Sequence, residues 1–158
     1  MSTTQAKTPR PQEATAMLRA DHEKVSGLFQ EFDKARSAER KRVLAAQICT
    51  ELTIHAQIEE EIFYPAVKEA LGDHELVPEA NIEHGSIKDL ISQVQLGEQE
   101  GEVFEARVKV MGEYVKHHVK EEHDEMFPKA RKAELNMREL GARMAGRKAE
   151  LLGATASP

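Results

Sequence analysis

The sequence predicts an all-α protein: an antiparallel up-down-up-down four-helix bundle with an additional C-terminal helical segment. Two observations predict it. Ala, Leu, Glu, Lys, Arg, Gln and Met are abundant, while tryptophan is absent and aromatic residues make up only 4% of the chain, a mixture that favours helix. In four long segments the apolar residues recur at steps of three and four, which lines each set along one helix face. Short polar turns join those segments, so neighbouring helices run antiparallel.

Residues 1–11 read as a disordered polar tail ending at Pro11, a residue tolerated in a first helical turn. A first helix runs to about Arg36 on the seam Leu18, His22, Val25, Phe29 and Phe32. A second runs from about Glu39 to Leu71 with the seam Leu44, Ile48, Leu52, His55, Glu59, Ile62 and Ala66. The run Leu71-Gly72-Asp73 stops it, and Pro78 opens a third helix carrying Val77, Ala80, His84, Ile87, Ile91 and Val94. After a turn from Gly97 to Gly101, a fourth helix reaches about Lys132 on Phe104, Val108, Met111, Val115, His118 and Glu122. Glu134 to Leu152 is a further helix-like segment with Leu135, Leu140, Met144 and Leu151. Pro65 and Pro128 each lack an amide donor and clash with the carbonyl four residues back, so each is expected to kink or end its helix. The expected organisation is a tail over 1–11, a bundle over 12–132, and a C-terminal extension over 133–158.

Charge and cysteine content exclude several functions. A net charge of −6 and a pI near 5.7 argue against general binding to nucleic acid or a membrane surface. The base-rich stretch Lys129–Lys148 is interrupted by acids and reads as a solvated helix face. Cys49 is the single cysteine; it permits no intrachain disulfide and reads as a small core residue. No stretch resembles a signal peptide or approaches the roughly 20 apolar residues a spanning helix needs. A cytoplasmic protein without nucleic-acid or membrane partners is expected.

The polar residues on the seams carry the chemistry. HAQIEEEIFYP at 55–65 is echoed by HVKEEHDEMFP at 118–128, with histidine, glutamate and proline at the same offsets. His22 and His84 are separated by 62 residues and His55 and His118 by 63, so the two halves read as an internal duplication. Residues four apart share a helix face, which lets His55 with Glu59, and His118 with Glu122, reach one ion or ion pair. Without a metal, four histidines and two glutamates in an apolar core would have to satisfy one another completely, because a buried unpaired carboxylate is strongly disfavoured. Imidazoles and carboxylates without a seam thiolate suit iron, manganese or zinc. One carboxylate from each half between two histidine pairs suggests bridging ligands in a dinuclear site, with about two positions per octahedral ion left for a bridging oxygen and an exogenous ligand. The Glu-x-x-His pattern of ferritin-like centres is absent, as are a His-Glu-x-x-His zinc motif and a glycine-rich phosphate loop.

The pattern His…His-x-x-x-Glu…His…His-x-x-x-Glu over residues 14–132 resembles the hemerythrin-like, or HHE cation-binding, domain family, in its bacterial branch with four histidines and two glutamates. The resemblance implies metal ligands at His22, His55, Glu59, His84, His118 and Glu122. It implies two iron ions, oxo- or hydroxo-bridged and joined by the two carboxylates. It further implies reaction with, or sensing of, O2, H2O2 or NO, with catalase- or peroxidase-like turnover as one form. The alternative is an iron- or oxygen-responsive sensor or iron store without turnover. The chain departs from the oxygen carriers, which place a histidine where Lys88 stands and an aspartate five residues after the fourth-helix histidine, where this chain has His123.

Other candidates stand beside these. His123, one residue off the seam, is a candidate fifth histidine ligand, whereas His117 and His74 read as surface or loop residues. Asp21 and Glu83 precede seam histidines and either accept from an imidazole N–H or are simply solvated. Glu60, Glu61 and Glu121 are expected to face solvent or pair with lysines. Tyr64 and Tyr114 each stand where a phenol can approach the metals or simply pack.

Overall fold

In the computed structural model of the chain, residues 12–72 and 75–156 are described; the expectations for the 1–11 tail, Asp73 and His74 lie outside them. The helices are α1 (Ala14–Lys34), α2 (Ala38–Ile58), α3 (Tyr64–Leu71), α4 (Leu76–Leu96), α5 (Glu102–Glu121), α6 (Phe127–Lys132) and α7 (Met137–Ala156). Two π-helical segments, Glu59–Phe63 and Glu122–Met126, join α2 to α3 and α5 to α6 without a break. The described residues contain no strand.

Local chemistry sets the helix ends. The Glu13 carboxylate accepts from the Ala16 amide at 2.6 Å, and Ser37 Oγ accepts from Arg40 N at 3.1 Å, each satisfying a donor that has no partner within its helix. Gly72 closes α3 at φ 69°, a left-handed conformation in which glycine carries no Cβ penalty.

α1 packs on α2 and α4 on α5, the two hairpins meet through α1 with α5 and α2 with α4, and α7 lies on α1, α2 and the first π segment. The apolar interior forms two clusters. One gathers Leu18, Ile58, Phe63, Val67, Phe127 and Met144; the other gathers Phe32, Leu44, Ile48, Val94, Phe104 and Met111. Each such fully buried side chain is worth about 1.5–3 kcal/mol relative to exposure. His22, His55, His84 and His118 fall between the two clusters along their helices, so the polar layer sits in mid-bundle, closed by apolar packing on both sides.

The prolines behave differently from the expected kink or stop. Pro65 and Pro128 sit in the first turn of α3 and α6, immediately after the π segments. In each π segment the amide five residues on returns to the first carbonyl: Tyr64 N–H to Glu59 O, and Phe127 N–H to Glu122 O. The wider turn relieves the clash between the proline ring and the carbonyl four residues back, so the helix continues. It also rotates the α3 and α6 faces relative to the seams of α2 and α5. Phe63, Tyr64 and Val67 are buried, whereas Ala66, expected on the seam, is only half-buried.

Candidate metal centre

The π segments begin at the two glutamates, and α1, α2, α4 and α5 deliver one histidine each. The side chains assemble as two overlapping groups, His22/His55/Glu59/Glu122 and His84/His118/Glu59/Glu122, all six residues buried. Glu59 Oε1 is 2.9 Å from His55 Nε2 and 3.4 Å from His84 Nε2. Glu122 Oε1 is 2.6 Å from His118 Nε2, and its Oε2 is 4.0 Å from His22 Nε2. Both carboxylates thus reach across from one histidine pair to the other. The Nε2 atoms within each pair, His22 with His55 and His84 with His118, are 3.0 Å apart.

The opposite edge of every ring is also held. His55 Nδ1 is 3.1 Å from Asp21 Oδ2, His84 Nδ1 is 3.1 Å from Glu60 Oε2, and His118 Nδ1 is 2.8 Å from Glu83 Oε1. His22 Nδ1 lies 2.8 Å from His123 Nε2. An imidazole that donates from Nδ1 to a carboxylate presents a lone pair at Nε2. Nitrogen lone pairs and carboxylate oxygens therefore converge on one small volume. Neither oxygen of Glu59 nor Oε2 of Glu122 receives a hydrogen bond of acceptable geometry. Buried oxygens at those distances from nitrogen, yet unbonded to it, fit cations placed between them.

The electrostatics of the protein without ions point the same way. Burial acts to lower the pKa of His55, but the Glu59 charge and the Asp21 hydrogen bond outweigh it and raise it well above the usual range. Burial also opposes charge on His118, yet Glu122 and Glu83 hold its pKa up at about 9. Burial and the neighbouring Glu59 push Glu122 up to about 8. Glu59 is held well below the ordinary carboxylate range, because the His55 charge and its close approach to Glu122, His55 and His84 overcome its burial. Burial, then the His55 charge, brings His22 down to about 3. The two buried carboxylates thus draw positive charge into the centre, whether as protons on His55 and His118 or as cations.

Tyr64 completes one side only. Its hydroxyl donates to Glu122 Oε1 at 3.1 Å and lies 3.1 Å from His84 Nε2 and 3.0 Å from His118 Nε2. Burial, then the charges of Glu59 and Glu122, raises its pKa well above the normal phenol value. The π turn is what brings Tyr64 back to the face of Glu59. Its counterpart in the second half, Phe127, stacks parallel to His22 with ring centroids 6.2 Å apart. Over the four imidazoles lies a cavity lined by Val25, Leu52, Ile87, Ile91, Val115 and Val119, with about 30 Å³ accessible to the centre of a water-sized molecule. That is room for about one or two such molecules.

The six residues picked out by spacing are therefore brought together. Asp21 and Glu83 do accept from imidazoles, each from the ring of the following helix in its own hairpin. His123 stands behind His22 instead of joining either group of four. Tyr114 is 50% exposed, away from the centre. Glu60 departs from expectation: it pairs with Lys88 as foreseen but also holds His84 Nδ1, because the first residues of the π turn are drawn inward. The duplication carried a signal for this, since Glu60 and His123 are 63 residues apart in the two repeated phrases. Glu61 pairs with Arg147, while Glu121 lies 3.1 Å from His117 on the surface.

Fold and site together define a helical-bundle protein that binds metal through histidine and carboxylate side chains. Residues 13–130 match the Hemerythrin HHE cation binding domain, and the chain belongs to that family. A crystal structure of a hemerythrin HHE cation binding domain-containing protein from Mycobacterium kansasii superposes with a TM-score of 0.79 at 26% identity, covering 90% of this chain and 89% of that one. A protein described as a DNA nickase from Nostoc sp. is 31% identical over 111 residues, 70% of this chain. The chain spans only 31% of the length of that curated relative.

Proposed function

We propose that the chain is a cytoplasmic non-haem di-iron protein that reacts with or senses O2, H2O2 or NO, peroxide dismutation being one such reaction. The observation that carries this reading is the pair of overlapping groups sharing Glu59 and Glu122, in which both Glu59 oxygens and Oε2 of Glu122 are buried without a hydrogen-bond donor. Bound iron would supply redox and Lewis-acid chemistry toward small oxygen and nitrogen species. His22 and His55 would hold one ion, His84 and His118 the other, with both carboxylates shared. Asp21, Glu60 and Glu83 fix three imidazole planes and leave their Nε2 lone pairs pointing inward. The apolar cavity excludes bulk water and admits only a small ligand. The Tyr64 hydroxyl offers a hydrogen bond beside His84 and His118. The bundle over 12–132 is taken as the unit that carries this chemistry.

A second reading, an iron- or oxygen-responsive sensor or iron store without turnover, is favoured by the cavity lining. Beyond the imidazoles, only Asp21 and Lys88 bring groups able to move a proton, and both are engaged in ion pairs. DNA nicking belongs to the longer relative; a net charge of −6 offers little attraction to a phosphate backbone. Metal analysis with a visible spectrum tests the reading: about two irons per chain with charge-transfer absorption is the expected result. A colourless, folded protein without metal after iron supplementation would refute it. Oxygen evolution from H2O2 faster than that of free iron then selects turnover over sensing.

A further inference from the structure

We propose that Lys148, on the C-terminal helix α7, is a positioning residue for the metal ligand His55, acting through Asp21; this rests on the metal-centre reading above. Three carboxylates hold candidate-ligand imidazoles at Nδ1, and each turns its other oxygen toward a cationic or cation-capable side chain. Glu60 meets Lys88 and Glu83 meets His117, whose side chains are 53% and 66% exposed and which belong to α4 and α5 themselves. Asp21 differs. Its Oδ2 holds His55 Nδ1 at 3.1 Å while its Oδ1 receives Lys148 Nζ at 2.7 Å, with side-chain exposures of only 8% and 25% for the pair. The partner comes from outside the four bundle helices and beyond residues 13–130, where the family match ends.

α7 is built to deliver that ammonium to a fixed place. Leu140 and Met144 are buried in the cluster that contains Met17, Leu18, Ile58 and Ile62. A Cβ on Gly141 would stand 2.1 Å from the Gln12 carbonyl oxygen and 3.0 Å from the Ala14 amide. Only glycine lets α7 come that near the start of α1. Gly141, Met144 and Lys148 recur at steps of three and four, on one helix face. Arg147 adds a two-point contact to Glu61, at 2.8 and 3.3 Å, within the π segment that starts at Glu59.

The physical consequence concerns geometry. A carboxylate as buried as Asp21 keeps its orientation only while both oxygens are engaged, and that orientation sets the plane of the His55 ring. Freed from Lys148, Asp21 can turn away from Nδ1, and the Nε2 lone pair of His55 loses its aim toward Glu59. The Asp21–His55 contact that Lys148 supports is of the kind whose loss typically lowers metal affinity 10- to 100-fold. The loss should fall on the ion held by His22 and His55, leaving the other ion at its original affinity.

Anaerobic titration of the full-length protein with ferrous ion against a competing chelator tests this. Wild-type protein should bind two equivalents. Lys148→Met should bind one at unchanged affinity and the other about 10- to 100-fold more weakly, and Lys148→Arg should recover most of the loss. Arg147→Met, which loosens α7 without touching Asp21, should stay within about threefold of wild type for both ions. Two equivalents at wild-type affinity in folded Lys148→Met would overturn the proposal, as would equal losses in the Lys148 and Arg147 variants. Helix content by circular dichroism monitors folding, and Lys148→Gln takes the place of the Met variant, under the same criterion, should the latter fail to fold. Wild-type protein that binds no ferrous ion would instead overturn the metal-centre reading, and this proposal with it.

Discussion

Replacing Glu59 by methionine should move the stability of the protein in opposite directions with and without metal. Glu59 is fully buried, and both its oxygens lack hydrogen-bond donors. Replacing a whole buried ion pair by apolar groups of similar volume is commonly neutral to stabilising by about 1–4 kcal/mol, whereas removing one partner and leaving the other charged costs about 3–5 kcal/mol. His55 is not stranded by the change, because Asp21 still holds its Nδ1 and the ring can become neutral. For a chain of this size 1 kcal/mol corresponds to about 2–4 °C in Tm. Metal-free Glu59→Met should therefore melt between the wild-type temperature and roughly 10 °C above it. Wild-type protein with each ion at 100 times its Kd gains about 2.7 kcal/mol per site, or about 5 kcal/mol for two. That corresponds to a rise of roughly 10–20 °C. On the proposed two-ion centre each ion would lose an oxygen ligand in the variant, whose metal-induced rise should fall below about 5 °C. Thermal unfolding by circular dichroism, once in chelator and once with ferrous ion under anaerobic conditions, measures both quantities. A metal-free variant melting more than about 5 °C below wild type, or one with the full metal-induced rise, would refute the view of Glu59 as a carboxylate kept for cations.

Metal uptake should also be pH-dependent in a defined direction. The pair His118–Glu122, with His118 held up at about 9, and the raised His55 hold protons at pH 7 that an incoming ion must displace. Apparent affinity should rise from pH 7 to 9 and fall on acidification, with protons released into a weakly buffered solution on loading; affinity independent of pH would contradict this. Glu134, exposed at φ 59° after α6, adopts a left-handed conformation costing an L-residue about 1–2 kcal/mol. Glu134→Gly should raise Tm by about 2–4 °C in a melting experiment, and a lowered Tm would show that the side chain contributes a contact worth more than the strain.

The parts of the fold legible in the sequence were those where a polar residue replaced an apolar one in a regular seam. His22, His84 and His118 occupy positions that helical periodicity reserves for the core, and an α-helical reading places them correctly because α1, α4 and α5 are regular up to that point. Beyond Glu59 and Glu122 the same periodicity misleads. A single wider turn shifts the buried set from Ala66 to Phe63, Tyr64 and Val67, and no residue type announces a π turn. Pro65 marks the place, but a kink and a π turn are alternative answers to the same steric clash. Glu60 and Tyr64 acquire their contacts through that shift; the α-helical pattern put Glu60 at the surface and left Tyr64 open between approaching the metals and packing. The seating of α7 was hidden for another reason. Its apolar residues specify only that one face is covered, whereas its position on α1 depends on Gly141 and on Lys148 finding Asp21, contacts between distant parts of the chain.

The spread of the six centre residues along the chain has a mechanical consequence. With Cys49 as its single cysteine, the chain can form no internal disulfide. A loaded centre would tie together four helices and positions from His22 to Glu122, enclosing 100 residues of sequence. In the chain-entropy account of crosslinks, closing a loop of about that length is worth about 4.7 kcal/mol. Iron would then be the staple of this protein as well as its chemistry, and chelation would loosen the two hairpins from one another as reduction loosens a disulfide-bonded domain.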